Sequence, residues 1–209
     1  MEVKLEGYID SLMARYPQLE GIRQKLRQAY LLLEQCYESG GKLLAAGNGG
    51  SAADSGHIVG ELMKSFRLQR QVHKDLADRL QKIDPVRGVL LARQLEYGLP
   101  AIPLTAQDAL TTAYLNDVGM EGMFAQQLLG YGKPGDVFLG ISTSGNSENV
   151  INAAIVAKAL GIPVIGLTGA SGGILADYAE VTIQVPEREA YLVQELHLPV
   201  YHCLCRMLE

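Results

Sequence analysis

Four short apolar runs recur along the chain, and a helical pattern of apolar positions follows each of the first three. The runs cover residues 42–46, 136–142, 163–167 and 181–185. Loops rich in glycine, serine and threonine separate the first three runs from the helical patterns. Short strands that alternate with helices are typical of βαβ units, in which helices cover both faces of a parallel sheet. The pattern therefore predicts an α/β fold.

Longer helical patterns flank this core. Residues 4–39 are predicted to be helical, because apolar side chains recur there at spacings of three and four residues. The stripe consists of Ile22, Leu26, Ala29, Tyr30 and Leu33. Residues 190–208 are predicted to form a last helix. These outer helices would add packing layers, either within one chain or between subunits.

Residues 67–99 predict two helices separated at Asp84 and Pro85, where the proline ends the first helix. This segment contains seven Lys or Arg residues and four Asp or Glu residues, although the whole chain has a net charge of −5. Two interpretations fit a basic helical segment in an acidic protein: a solvated helical hairpin, or a lid over an anionic ligand. We treat residues 67–99 as a helical insertion.

Composition narrows the function classes. The chain has 209 residues, of which 48% are hydrophobic and 20% charged, as expected for one globular domain that spans residues 1–209. The net charge of −5 argues against nucleic acid as a partner, because phosphate backbones require a clustered basic surface.

The sequence also predicts a cytoplasmic location without a membrane partner. No apolar run approaches the ~20 residues of a membrane-spanning helix, and the N-terminus does not resemble a signal peptide. Cys36, Cys203 and Cys205 are too few and too unfavourably spaced for a disulfide framework. Free thiols in a reducing compartment are the simplest interpretation.

Two loops that each follow a predicted strand carry side chains suited to an anionic ligand. The first loop is formed by Gly47, Asn48, Gly49, Gly50 and Ser51. Its glycines allow close backbone approach to a ligand, although a tight strand-to-helix turn is the alternative interpretation. The second loop carries the hydroxyls of Ser142, Thr143, Ser144 and Ser147.

The second loop predicts a phosphate site built from neutral donors, because its hydroxyls and free N–H groups lie where a helix begins. Ligands of open parallel sheets bind beyond the carboxyl ends of the strands, where both loops are expected. Neither loop matches the P-loop or the G-x-G-x-x-G pattern, so a nucleotide triphosphatase is not indicated.

Two helices carry candidate catalytic residues. His57 and Glu61 are four residues apart, so they share a helix face. Gln194 and His202 are eight residues apart, again roughly on one face. These four residues fit an acid–base set, a divalent-metal site with zinc as the natural candidate, or histidines satisfied in the core or at an interface.

Four segments together resemble the phosphoheptose (sedoheptulose 7-phosphate) isomerases of the SIS, or sugar isomerase, class. They are GNGGSAADSGHIVGEL, ISTSGNSENVINA, VIGLTGASGGILADYAE and QELHLPVYHCLCRMLE. The resemblance covers about residues 40–66 and 100–209. It implies a three-layer αβα domain with about five parallel strands, preceded by N-terminal helices in residues 1–39. It also implies a homotetramer with active sites between subunits, which converts sedoheptulose 7-phosphate to D-glycero-D-manno-heptose 7-phosphate.

The resemblance also implies roles for individual residues. Glu61 and His202 correspond to the catalytic acid–base pair. Residues that correspond to zinc ligands of some members are His57, Glu61, Gln194 and His202. Substrate-binding positions are Asn48, Gly49, Gly50, Ser51, Asn116, Asp117, Ser142, Thr143, Ser144, Ser147 and Gln194. A phosphorylated sugar is therefore the expected substrate, and zinc is the expected cofactor.

A non-catalytic SIS protein is the alternative function, either as a sugar-phosphate sensor or as a protein-binding adaptor. The presence of His57, Glu61, Gln194 and His202 together favours the enzyme, since an adaptor needs none of them.

Two positions depart from the family pattern. Ser65 and Leu192 stand where the family commonly has arginine. We expect nearby cations to replace those arginines at the mouth of the site, with Lys64, Arg67 and Arg70 as the candidates.

Overall fold

The computed structural model describes residues 2–209, with side chains described from Leu5 onward. Within these residues the strands are β1 (Leu43–Gly47), β2 (Ala101–Pro103), β3 (Val137–Ser142), β4 (Val164–Thr168) and β5 (Val181–Gln184). The α-helices are α1 (Glu2–Arg15), α2 (Arg23–Glu38), α3 (Gly50–Met63), α4 (Lys74–Ile83), α5 (Arg87–Gln94), α6 (Asp108–Asp117), α7 (Met123–Tyr131), α8 (Glu148–Ala159), α9 (Leu175–Tyr178) and α10 (Ala190–Leu208). A 3-10 helix (Pro17–Ile22) connects α1 to α2.

The strands form one parallel sheet in the order β2-β1-β3-β4-β5. The strand order reverses next to β1, because β2 pairs with one side of β1 and β3 with the other. Open parallel sheets bind ligands at such a switch point, beyond the carboxyl ends of the strands. The carboxyl ends of β1 and β3 are Gly47 and Ser142, so the two predicted ligand loops start side by side.

Helices cover both faces of the sheet, each with its own apolar core. One core joins the sheet to α1, α2, α3 and α10, and it contains Leu26 and Tyr201. The other joins the sheet to α7 and α8 and contains Phe124 and Ala154. Because β1, β3 and β4 are buried along their whole length, their sequences are almost continuously apolar. The predicted three-layer αβα fold is confirmed.

The structure differs from the predicted elements in three places. The helical region predicted for residues 4–39 is interrupted at Pro17, whose missing N–H prevents continuation of α1. The helical pattern after the first apolar run predicts a helix from Ala52, whereas α3 begins at Gly50. The apolar pattern does not predict β2, because this strand has only three residues and ends in a proline.

Helices α4 and α5 confirm the two helices predicted within residues 67–99. The Asp84 carboxylate starts α5 by accepting the N–H groups of Val86 (2.9 Å) and Arg87 (2.8 Å). Gly88 packs so closely on Leu80 that a side chain would overlap the Leu80 backbone. Apart from Gly88, neither helix has a buried residue. The two helices therefore form a hairpin that packs mainly on itself.

The described residues contain no helix that combines the length and the apolar character needed to cross a bilayer. All three cysteines are buried free thiols.

Candidate active site

The two loops at the switch point are joined through a pair of asparagines. The side-chain amides of Asn48 and Asn149 donate to each other, with N–O distances of 2.9 Å in both directions. Asn149 lies in the first turn of α8, directly after the loop of residues 142–147. The pair therefore holds the β1 loop against the N-terminus of α8.

The β3 loop is also held by the loop that follows β4. The Gly169 N–H donates to the Thr143 carbonyl, and the Leu175 N–H donates to the Gly145 carbonyl, both at 2.9 Å. Gly145 has a φ of 70° and lies so close to Gly172 that a Cβ would overlap the Gly172 carbonyl oxygen. The loop thus has its shape before any ligand arrives.

Three of the loop hydroxyls occupy different environments. Ser142 is buried, and its Oγ lies 2.9 Å from Oγ of Ser147, the residue that precedes α8. Ser144 is exposed, and its Oγ accepts the N–H of Asn146 at 3.1 Å. These groups surround the start of α8, where the first N–H groups lack partners within the helix. This arrangement suits a phosphate group.

Gln194 from α10 lies against the start of α3. A Cβ on Gly50 would come within 2.7 Å of the Gln194 amide, so a side chain there would displace this amide. The neighbouring Ser51 is only 3% exposed. The amide therefore lies beside the β1 loop, and along α10 it is separated from His202 by about 12 Å.

Two turns further along α3 and α10, His57, Glu61 and His202 come together. A ligand-type atom of each lies within 4.8 Å of those of the other two. His57 Nε2 is 3.1 Å from Glu61 Oε1, and the rings of His57 and His202 meet edge to face with centroids 5.0 Å apart. The structure thus assembles three residues of the predicted acid–base or metal set, without Gln194.

Tyr201 and Asp54 orient the His57 ring. The Tyr201 hydroxyl donates to Asp54 Oδ1 (3.2 Å) and lies 2.9 Å from His57 Nδ1. Since the hydroxyl donates to Asp54, it can accept the N–H of Nδ1, and in that tautomer of His57 the Nε2 atom carries a lone pair. That lone pair faces Glu61. The sequence patterns did not predict a role for Asp54 or Tyr201. Two features could have indicated one: Asp54 precedes His57 by three residues, and Tyr201 is adjacent to His202.

His202 offers a free lone pair as well. Its Nε2 is buried and has no hydrogen-bond partner among the described residues. Burial lowers the pKa of His202, and the nearby charges of His57 and Arg15 add to this, whereas Glu61 opposes it. Phe66 packs at 5.4 Å between ring centroids on the same imidazole. A neutral His202 with an unpartnered nitrogen can either accept a proton or bind a metal.

The donor set fits a divalent metal such as zinc. Two imidazole nitrogens and a carboxylate converge, and three such protein ligands with one open position are typical of catalytic zinc. The unpartnered Nε2 of His202 and the lone pair of His57 that faces Glu61 are what a cation would satisfy. The link from His57 through Tyr201 to Asp54 would then orient a ligand from outside the coordination sphere.

Other predicted residues lie apart from this cluster. Asn116 and Asp117 are exposed at the end of α6, where the Asn116 amide donates to Asp117 (2.8 Å). Arg70 serves the fold: it donates to the carbonyls of Leu62, Lys64 and Tyr97, each at 2.7 Å. Arg70 therefore has a structural role, and its expected contact with a ligand stays a prediction.

Known proteins share this architecture and sequence. A family model for the SIS domain matches residues 86–169. The phosphoheptose isomerase of Geotalea daltonii is 40% identical over 185 residues, which cover 88% of this chain and 83% of that protein. The phosphoheptose isomerase of Aneurinibacillus thermoaerophilus is 39% identical over 175 residues, with coverages of 84% and 75%.

Two solved structures are similar to this chain in both fold and sequence. The phosphoheptose isomerase from Neisseria gonorrhoeae matches with a TM-score of 0.74 and 32% identity, covering 99% of this chain and 97% of that one. The one from Francisella tularensis matches with a TM-score of 0.76 and 31% identity, with coverages of 98% and 96%. The resemblance of the sequence motifs is thereby confirmed, and the chain belongs to the phosphoheptose isomerase family of SIS-domain proteins.

Proposed function

We propose that this chain interconverts sedoheptulose 7-phosphate and D-glycero-D-manno-heptose 7-phosphate. The observation that carries this proposal is the cluster of His57, Glu61 and His202 in a chain that belongs to the phosphoheptose isomerase family. An isomerase of this kind needs an acid–base pair at one end of its substrate and a phosphate site at the other.

The spacing of loops and cluster supports this substrate. Gly50 and His57 are seven residues apart on α3, or about 10.5 Å along a helix, which is comparable with an extended seven-carbon sugar phosphate. We place the phosphate on the loop of residues 142–147, and the first two carbons at the cluster. Gln194 and the β1 loop would contact the hydroxyls in between, and Asn116 and Asp117 would contact hydroxyls across a subunit boundary.

The reaction moves one proton between adjacent carbons and another between their oxygens. We assign Glu61 as the base that removes the carbon-bound proton and returns it to the neighbouring carbon. His202 Nε2 would move the proton between the oxygens. Each positioned group contributes roughly 10²–10⁴-fold in rate. Zinc held by His57, Glu61 and His202 is an alternative to proton transfer by the same atoms, because an atom that binds a metal cannot carry a proton at the same time. It would polarise the carbonyl and stabilise the charge of the enediolate.

The activity itself is tested with a panel of ketose phosphates. Purified protein is expected to form aldose product fastest from sedoheptulose 7-phosphate, and more slowly from shorter ketose phosphates that cannot reach both sites. Product is measured chromatographically, with and without added zinc. Binding of these sugars without turnover would instead support a non-catalytic SIS protein.

Metal content is a separate prediction. Purified protein is expected to carry about one zinc per chain by mass spectrometry, and a chelator should lower its activity. His57→Ala should lose the metal, because it removes one of three ligands. His73→Ala is the matched control, since His73 stacks on Tyr97 with centroids 5.1 Å apart, away from the cluster. Metal-free protein with full activity would contradict the zinc assignment.

We also infer that the protein is a homotetramer that works in the cytoplasm. Helices α4 and α6 have no buried residue, and exposed apolar side chains flank them: Ile83 (83%), Val86 (71%) and Val118 (69%). Exposed apolar side chains of this kind are typical of association surfaces when they form a patch. Light scattering at micromolar concentration should give the tetramer mass, and a monomer mass would contradict the inference. The free thiols support a reducing compartment, and cell fractionation should recover the protein with cytoplasmic markers.

A further inference from the structure

A cavity of about 290 Å³ adjoins His202. It lies between the end of α1, the residues that follow α3 and the second half of α10. Its wall includes Arg15, Arg67 and Arg206, together with Tyr16 and the His202 ring. Along α10 this cavity lies near the end that is remote from Gln194, and so it is remote from the β1 loop.

The cavity is positively charged without a compensating acid. None of its lining residues is Asp or Glu, and Arg15, Arg67 and Arg206 form no ion pair with any described residue. The Arg206 Nε is buried and has no hydrogen-bond partner in the described part of the chain. Its guanidinium stacks on the Tyr8 ring, with Cζ 4.7 Å from the centroid, which fixes its position beside the cavity.

Four of the other arginines have acidic partners, whereas Arg79, Arg93 and Arg188 have none among the described residues. Those paired with carboxylates are Arg23, Arg27, Arg70 and Arg87. The chain has 23 acidic and 18 basic residues, so the lack of ion pairs at this cavity does not come from a shortage of acidic residues. What distinguishes Arg15, Arg67 and Arg206 is that all three line one cavity that has no acidic residue in its wall, an arrangement that suits an anion from outside the chain.

The carboxylate of Glu209 already has hydrogen-bond and ion-pair partners. Glu209 accepts the N–H groups of Phe66 (2.7 Å) and Arg67 (2.8 Å), and it lies 3.6 Å from Arg70. Its side chain is only 3% exposed. Glu209 therefore positions the backbone of Arg67, and its charge is offset by Arg70.

We propose that this cavity is an anion site for a phosphate group, either free phosphate or the phosphate end of a small ester. Guanidinium groups bind phosphate through two parallel N–H donors each, and they suit a doubly charged anion. The hydroxyls of Ser11 and Tyr16 add neutral donors to the wall. The site is distinct from the loop of residues 142–147, and its existence does not depend on the proposed isomerase activity.

The test measures phosphate binding by calorimetry in a protein whose β3 loop is disabled by Ser144→Ala and Ser147→Ala. One phosphate per chain is expected to bind this variant. Adding Arg15→Gln and Arg67→Gln should weaken that binding at least about tenfold, because two charged donors are lost. Both arginines are exposed, so folding is expected to persist and is checked by the melting temperature.

A matched control removes the same charge elsewhere. Arg79→Gln and Arg93→Gln, on the exposed hairpin, should leave phosphate affinity within about twofold. The proposal is overturned if the loop variant binds no phosphate, or if the Arg15/Arg67 variant binds as tightly as the control. Glucose 6-phosphate serves as a second probe: tighter binding than phosphate supports an ester as the ligand, and weaker binding supports free phosphate.

Discussion

Replacing Glu61 with Gln is expected to lower kcat at least about 100-fold and to leave the fold intact. The amide keeps the size of the side chain and can still contact His57 Nε2, which lies 3.1 Å from the carboxylate. It cannot accept a proton from carbon, so the chemical step is lost, and the loss of the carboxylate also weakens the proposed metal site. The measurement is kcat for sedoheptulose 7-phosphate, together with the melting temperature.

The same experiment tests whether Glu61 and His202 act together. His202→Ala should cause a similar loss, and the double variant should lose little more than either single one, because residues that act as a unit are not additive. Glu38→Gln, at an exposed position at the end of α2, is the control and should leave kcat unchanged. A Glu61→Gln protein with full turnover would contradict the assignment and favour the sensor or adaptor function.

The sequence predicts those elements of the fold whose burial produces a recognisable pattern of apolar positions. Strands β1, β3 and β4 are covered on both faces, so they appear as uninterrupted apolar runs. Strand β2 pairs only with β1 at the edge of the sheet, and its three residues are too few for a pattern. Helix α6 is not predicted for a different reason. None of its residues is buried, so it lacks the apolar stripe that indicates a helix.

The sequence predicts those contacts of the candidate site that follow from residue spacing along one helix. His57 and Glu61 meet because they are four residues apart on one helix, and the structure shows that contact. Gln194 and His202 share a helix too, but two turns separate them, and the packing of Gln194 on Gly50 is a tertiary contact. The bond between Tyr201 and Asp54 joins residues 147 positions apart, which no local pattern specifies.

Charge pattern alone does not predict the structural contacts of Arg70. The basic composition of residues 67–99 suggests ligand-binding cations, yet Arg70 donates to three backbone carbonyls. Those carbonyls belong to the end of α3 and to the chain that follows α5, so Arg70 closes the base of the hairpin. Arg67, three residues earlier, has its backbone held by Glu209 and its side chain at the cavity. Only the path of the backbone distinguishes the two roles.

Gly145→Ala is expected to weaken sedoheptulose 7-phosphate binding at least about tenfold and to lower the melting temperature. Two effects combine at this position. The φ of 70° is unfavourable for a residue with a Cβ, typically by 1–2 kcal/mol. The added Cβ would also overlap the carbonyl oxygen of Gly172, so the loops after β3 and β4 must separate. That movement displaces Thr143 and Ser144, which we assign to the phosphate.

Gly161→Ala separates the two effects. Gly161 follows α8 with a φ of 71°, and nothing lies within 4 Å of the position of an added Cβ. It should therefore show only the backbone cost, a loss of about 1–2 kcal/mol and a shift of a few degrees in melting temperature, with unchanged ligand affinity by calorimetry. Equal affinities in the two variants would show that the phosphate does not depend on the β3 loop. A loss confined to Gly145→Ala would tie binding to the contact between Gly145 and Gly172, because the two glycines share the same φ and differ in what faces them.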